Sequence, residues 1–298
     1  MTKLTIPAEE YMNSGHMACQ GCGAGLAMRY ALKALGEKTV ISIPACCWAV
    51  IPGVYPNSCL NLPLVYTAFE VTGASISGIR AALDAQGKKD VNVVGFAGDG
   101  GTADIGLQSL SGMVERNTNA IYICYDNEAY MNTGIQRSSS TPEGTWTTTT
   151  PVGTTKYWEL TKKKNMVEIM VAHNIPYTAT ASVAYPEDLI RKVKKAASID
   201  GPSYIHIFAP CPTGWKSDPS KSVELARKVV TSHIFPLYEV ENGVYKINMK
   251  PKKTPIKEYL MMQGRFRHLD DEFIEKYDKE IEKDWEKLIQ KEAFTSEQ

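Results

Sequence analysis

The sequence predicts an α/β protein: a mostly parallel sheet flanked by helices, with a helical C-terminal extension. Three observations lead there. Short apolar, β-branched runs at 39–44, 91–97, 120–125 and 203–208 alternate with longer helical patterns. Several of these runs stop at a glycine, cysteine or asparagine cluster, at the strand ends where open α/β sheets place their sites. Beyond about residue 213 the alternation gives way to a short strand pair and charged helical segments. We therefore read 1–212 as a binding domain and 213–298 as an extension or arm that contacts the core or partner subunits. A chain of 298 residues can bury a substantial core.

Composition narrows the functional classes. With 33 basic and 33 acidic residues there is no electrostatic case for nucleic acid or an anionic membrane surface. No apolar stretch approaches the roughly 20 residues that span a bilayer, and the first seven residues carry no signal-like apolar region. The expectation is a cytoplasmic protein. Seven cysteines in that setting need an explanation other than disulfides.

The elements follow in order. His16-Met17-Ala18-Cys19-Gln20-Gly21-Cys22-Gly23 can aim two sulfurs, with backbone amides around them, at one metal or cluster. A helix over 24–35, with Leu26, Tyr30 and Ala34 on one face, ends at Gly36, and a buried strand at 39–44 leads to Cys46 and Cys47. A helix is expected over 67–86, where Ala68, Gly73, Ala74, Ser77 and Gly78 permit close packing. The strand at 91–97 then stops at Gly98-Asp99-Gly100-Gly101, and a helix over 102–114 follows.

Such a strand-to-helix turn presents bare N–H groups to an anion such as a diphosphate. A carboxylate at that place makes sense if a hard cation such as Mg²⁺ lies between Asp99 and the phosphates, and the next strand delivers Asn127 beside it. The bland alternative is a surface turn with Asn127 as a cap. The polar, threonine-rich stretch 127–156 is long enough to point to a functional or partner-bound loop, against a flexible surface insertion.

Further on, a helix is expected over 160–173, with Lys162-Lys163-Lys164 on a solvated face, then a strand at 177–183 and a helix over 186–197 started by Pro186. The strand at 203–208 ends in Ala209-Pro210-Cys211, at the same sheet edge as the earlier clusters. In the extension, strands at 237–240 and 244–248 precede a helix over 270–291. Its stripe, Phe273, Tyr277, Ile281, Trp285 and Leu288, needs an apolar partner in this chain or another. Four thiolates from the two ends of the first domain fit either structural Zn²⁺ or a [4Fe–4S] cluster, and spacing alone does not separate them.

Gly98-Asp99-Gly100, with 27 residues between Asp99 and Asn127, resembles the metal–diphosphate signature of thiamine diphosphate enzymes. It implies that fold, with Asp99, Asn127 and the Ala129 main chain on Mg²⁺. Together with the cysteines, the chain resembles the β subunits of 2-oxoacid:ferredoxin oxidoreductases, those acting on pyruvate most closely. The likeness extends through Asp126-Asn127-Glu128-Ala129-Tyr130-Met131-Asn132-Thr133-Gly134 and Ala209-Pro210-Cys211-Pro212-Thr213-Gly214-Trp215 to Tyr259-Leu260-Met261-Met262-Gln263-Gly264-Arg265-Phe266.

This resemblance implies a [4Fe–4S] cluster on Cys19, Cys22, Cys47 and Cys211. Cys47 is preferred to Cys46 from its place before Val50, leaving Cys46, Cys59 and Cys124 as small buried residues. It also implies cofactor contacts from Cys47, Gly98, Asp99, Gly100, Gly101, Asn127, Glu128, Ala129, Tyr130, Met131 and Asn132. Asn132 would be catalytic, reaching the substrate or its cofactor adduct, with Thr133 and Gln136 as further candidates; His16 is read as a turn histidine. The implied reaction converts pyruvate, CoA and oxidised ferredoxin to acetyl-CoA, CO2 and reduced ferredoxin, reversibly. The implied partners are α, γ and δ-type subunits and ferredoxin, with the α subunit supplying a glutamate and the substrate-binding arginine, so that this chain alone is inactive. Three alternatives stay open: another 2-oxoacid (oxalate, 2-oxoisovalerate or 2-oxoglutarate), a non-redox thiamine decarboxylase with structural zinc, and an electron-transfer or assembly subunit.

Overall fold

The computed structural model describes residues 6–153 and 158–296; the first five residues and the end of the threonine-rich loop at Lys156 lie outside them. Among the described residues the strands are β1 (Thr39–Pro44), β2 (Leu64–Thr67), β3 (Asn92–Gly98), β4 (Ile121–Asp126), β5 (Tyr177–Ser182), β6 (Ser203–Phe208), β7 (Tyr238–Glu241) and β8 (Val244–Ile247). They form one sheet in the order β2-β1-β3-β4-β6-β5-β7-β8. The first six run parallel, and β7 and β8 add an antiparallel hairpin beside β5. The central strands β4, β5 and β6 are buried along their whole length, as parallel strands covered on both faces must be.

The covering helices are α1 (Gly23–Leu35), α2 (Thr72–Ala85), α3 (Leu107–Glu115), α4 (Met166–Ala172), α5 (Pro186–Ser198), the single turn α6 (Pro212–Trp215), α7 (Ser222–Thr231), α8 (Ile256–Met261) and α9 (Asp271–Ser296). α1 buries Ala27, Met28, Ala31, Leu32 and Leu35, while Leu26, Tyr30 and Ala34 are only partly buried beside them. α9 sets Ile281, Trp285 and Leu288 into this chain's own core, with Phe273 and Tyr277 half-buried along the same stripe. The two sheet edges differ. The N–H groups of Tyr245 and Ile247 in β8 are taken by Thr295 Oγ1 (3.0 Å) and Glu292 Oε1 (2.6 Å) of α9. At the far edge, Val65 and Tyr66 of β2 are 43% and 48% exposed.

Four expectations are corrected. The helix expected from residue 67 starts at Thr72, because 64–67 pair with β1 as a short edge strand. The one expected from 160 starts at Met166, where Asn165 caps it by accepting the Glu168 N–H at 3.2 Å. After the glycines the chain makes a π-type turn, Gly101–Ile105, before α3 begins, a local irregularity often found at functional sites. The lysine run is a solvated face only at Lys162, which is exposed and pairs with Glu280 at 2.8 Å, whereas Lys163 pairs with Asp126 and Glu128 and Lys164 donates to the Ala103 carbonyl at 2.7 Å. Nor is the long loop a surface insertion over its described part, since Ser138, Ser140, Thr141, Thr145 and Thr147 are buried.

Candidate cofactor and metal site

Four neighbouring strands, β1, β3, β4 and β6, bring their C-terminal ends together. Behind them come Cys46 and Cys47, Asp99, Asn127 and Cys211 respectively. α1 joins this edge through its first residue: the Gly23 N–H donates to the Pro210 carbonyl at 2.9 Å, which sets Cys22 beside the Cys211 loop.

A cavity of about 200 Å³ opens here, walled by Cys46 and Cys47, by the glycine turn from Gly98 to Gly101, and by Asn127 and 129–133, with Phe69 and Tyr125 closing it. Gly100 is required by close approach, because a Cβ there would lie 2.3 Å from the Tyr130 ring. Tyr130 in turn donates to Asp104 Oδ2 at 2.8 Å. Asn132 and Thr133 are exposed at this cavity. The Glu128 side chain turns away from it, toward Lys163 and Arg265. On that far side a second cavity of about 430 Å³, lined by Lys163, His206 and α9, carries no glycine or cysteine on its wall.

Two buried carboxylates flank the Asn127 turn. Asp126 is compensated: Lys163 pairs with it, and His206 Nε2 lies 2.7 Å away with Tyr204 on the other ring nitrogen. Burial pushes its carboxyl up, but Lys163 and His206 outweigh that and hold it at about 2. Asp99 accepts the Ser138 hydroxyl on Oδ2 at 2.5 Å. Burial and the nearby Asp126 charge push its carboxyl well above the usual range.

The Asn127 amide stands between Asp99 and the end of the turn: oriented by its hydrogen bonds, its nitrogen donates to Asp99 Oδ1 at 2.9 Å and to the Ala129 carbonyl at 3.1 Å. With the amide turned to offer its oxygen, the turn would present one carboxylate, one amide and one carbonyl oxygen, the donor types that Mg²⁺ takes. The donor set therefore fits a small hard cation.

The cysteines divide by environment. Cys59 and Cys124 are buried; Cys19 is exposed, and Cys22, Cys46, Cys47 and Cys211 are intermediate. Burial pushes the Cys22 thiol up while the Gly25 and Ala24 N–H groups of α1 act the other way. Burial likewise brings Cys211 to about 11, opposed by the Gly214 N–H and reinforced by Cys22 and Cys19. Cys47 is pushed up by burial, then by Cys46, Cys211, Cys22 and Asp99. Cys46 instead meets the Tyr125 hydroxyl and the backbone at Trp48, Ala49 and Gly98, with burial raising its thiol. Thus Cys47 both lines the cavity and looks toward Cys22 and Cys211. Met131 shares that wall: a Cβ on Gly214 would lie 2.2 Å from its sulfur and 3.5 Å from Cys211 Sγ. Among the described residues no three Cys, His, Asp or Glu side chains are gathered tightly enough to hold one metal ion. His16 is exposed and accepts the Ala18 N–H at 3.3 Å, a turn histidine.

Several residues at the site carried no signal of their own. Ser138 stands in a Ser-rich run, Lys163 in a lysine run, and Arg265 in a C-terminal motif without an assigned role; only the fold brings them to the 126–128 turn.

Residues 47–207 match the model for the C-terminal TPP-binding domain of thiamine pyrophosphate enzymes. That range runs from the Cys47 loop through β6 and defines the class as a thiamine diphosphate-binding α/β protein. Ketoisovalerate oxidoreductase subunit VorB of Pyrococcus furiosus is 58% identical over 294 residues, covering 96% of this chain and 94% of the relative. Pyruvate synthase subunit PorB of Methanothermobacter marburgensis is 54% identical over 270 residues, covering 90% and 94%. The chain belongs to the β-subunit family of 2-oxoacid:ferredoxin oxidoreductases. A solved 2-oxoglutarate:ferredoxin oxidoreductase from Magnetococcus marinus has the same fold at 23% identity, with a TM-score of 0.57 over 76% of this chain and 84% of that one. No described helix is long and apolar enough to cross a membrane.

Proposed function

We propose that this chain is the subunit that holds thiamine diphosphate and the first electron acceptor of a cytoplasmic, CoA-dependent 2-oxoacid:ferredoxin oxidoreductase. It works with α, γ and δ-type subunits, and the substrate in the first reading is pyruvate. Asp99 Oδ1, Asn127 Oδ1 and the Ala129 carbonyl would hold Mg²⁺ and through it the diphosphate; Gly98 to Gly101 line the same pocket, and Asn132, on its wall, would reach the substrate or its cofactor adduct. Cys19, Cys22, Cys47 and Cys211 would hold a [4Fe–4S] cluster. Bound thiamine diphosphate supplies the decarboxylating chemistry, and a cluster beside it takes the electrons one at a time.

One observation carries the redox reading: Cys47 belongs at once to the wall of the cavity and to the set formed with Cys22 and Cys211. Met131 lines the same cavity and, like Cys211, lies beside Gly214. The residues of this chain would then orient the diphosphate, exclude water through Phe69 and Tyr130, and fix the distance to the electron acceptor.

A second reading of the substrate is favoured by the 58% identity to a subunit named for ketoisovalerate, against 54% for one named for pyruvate. The test is the assembled complex, purified without oxygen, with kcat/KM measured for pyruvate and for 2-oxoisovalerate and iron counted on the same sample. Cys47→Ser is expected to lose iron and ferredoxin reduction, and Cys46→Ser to keep both. A higher kcat/KM for 2-oxoisovalerate would move the assignment to the branched substrate. Zinc in place of iron, or iron kept by Cys47→Ser, would overturn the cluster assignment.

A further inference from the structure

Residue 128, between the two uncharged oxygen donors of the cation turn, is a glutamate with a φ of +67°. This left-handed conformation is uncommon for residues with a side chain. Three main-chain groups of the turn are held. The Asn127 carbonyl accepts from Trp215 Nε1 at 2.8 Å, the Glu128 N–H donates to Asp126 Oδ1 at 2.9 Å, and the Glu128 carbonyl accepts from Thr141 Oγ1 at 2.8 Å. The Glu128 carboxylate, 2% exposed, is gripped by Lys163 at 2.9 Å and by Arg265 at 2.5 Å.

Arg265 arrives from the C-terminal extension and is itself 1% exposed. Its guanidinium lies 4.0 Å from the centroid of the Trp215 ring and 4.8 Å from that of Phe266, and its Nε donates to Gln263 at 2.9 Å. One buried cation thus backs both the glutamate at the centre of the turn and the tryptophan that bonds the Asn127 carbonyl.

We propose that Arg265 is a positioning residue for the cation site. By holding the Glu128 carboxylate from behind, it keeps residue 128 left-handed and so aims the Asn127 side-chain oxygen and the Ala129 carbonyl at Asp99. The inference rests on the reading of Asp99, Asn127 and Ala129 as cation ligands. It adds a role for the extension, none of whose residues lines the cavity at Asp99.

The test uses the assembled complex stripped of divalent cation, titrated with Mn²⁺ in the presence of thiamine diphosphate and read by EPR, with the KM for the 2-oxoacid measured alongside. Arg265→Met is expected to weaken Mn²⁺ binding by about tenfold or more, the range seen when partners of metal ligands are removed, with the 2-oxoacid KM unchanged. Glycine adopts the left-handed conformation without an anchor, so Glu128→Gly combined with Arg265→Met is expected to recover most of the affinity, and Glu128→Ala with Arg265→Met is not. Undiminished Mn²⁺ affinity in Arg265→Met, or no recovery in the glycine double variant, overturns the proposal. Should Arg265→Met not assemble, Arg265→Lys, which keeps the charge and loses the fork, takes its place with the same two outcomes. Asp99→Asn separates the two layers. If the wild-type complex binds no Mn²⁺, or Asp99→Asn binds it unchanged, the cation reading itself fails. If Asp99→Asn alone abolishes binding, only the role of Arg265 is refuted.

Discussion

Asp99 and Asp126 stand at the ends of adjacent strands, both buried, and the chain treats them in opposite ways. Asp126 is surrounded by Lys163, His206 and its own turn's N–H, whereas Asp99 meets neutral groups, the Ser138 hydroxyl and the Asn127 amide. A buried charge answered by cations of the protein is a structural part; one met by neutral groups is suited to a cation that the protein binds. The difference separates scaffold from site more sharply than burial does.

The largest expected effect falls on the answered carboxylate. Asp126→Ala leaves Lys163 and His206 facing a void and is expected to lower unfolding stability by about 3–5 kcal/mol, the usual cost of breaking a buried ion pair. Chemical denaturation of the assembled protein measures it, and a loss near zero would remove Asp126 from the scaffold. Asp99→Asn is expected to abolish thiamine diphosphate binding while the cation-free protein unfolds at a higher temperature, because a desolvated charge has been removed. A destabilisation like that of Asp126→Ala would erase the contrast.

pH sharpens the same contrast. Asp99 has a folded pKa above its unfolded one, so its contribution is favourable at acid pH and is lost as pH rises from about 4 through the raised value. Asp126, held at about 2, contributes above pH 4 and loses that contribution as pH falls through about 2. Subtracting the Asp99→Asn stability curve of the cation-free protein from that of wild type should therefore give a falling slope above about pH 4, and a flat difference would contradict the uncompensated state of Asp99. The smallest effect is expected from Ser138→Ala, about 1 kcal/mol for one hydrogen bond, with cofactor affinity reduced far less than in Asp99→Asn.

How much of this was legible depended on the reach of each signal. β6 matched its expected bounds to the residue, because a run of alternating β-branched and aromatic side chains between turn residues is a local pattern. The convergence of Cys47, Asp99, Asn127 and Cys211 was legible as well, since strand ends in a parallel sheet share one edge. Lys163 was misread because a lysine run states its own charge and nothing of the carboxylates at 126 and 128 that the loop folds back to meet. Arg265 was invisible for the same reason, 137 residues from Glu128 in sequence. The start of α4 had a local signal in Asn165 and Glu168, spaced as a cap and its first turn, but the apolar pattern upstream hid it.

The unequal edges of the sheet set a direction for assembly. A strand from another molecule can join only where main-chain donors and acceptors are still free; at β8 the side chains of α9 have taken the N–H groups of Tyr245 and Ile247. Growth of this sheet by a neighbour is therefore opposed at β8, while the other edge, β2, lies one strand from the residue that leads into Cys47. The molecule has a finished end and an unfinished end, and the unfinished one is next to the chemistry.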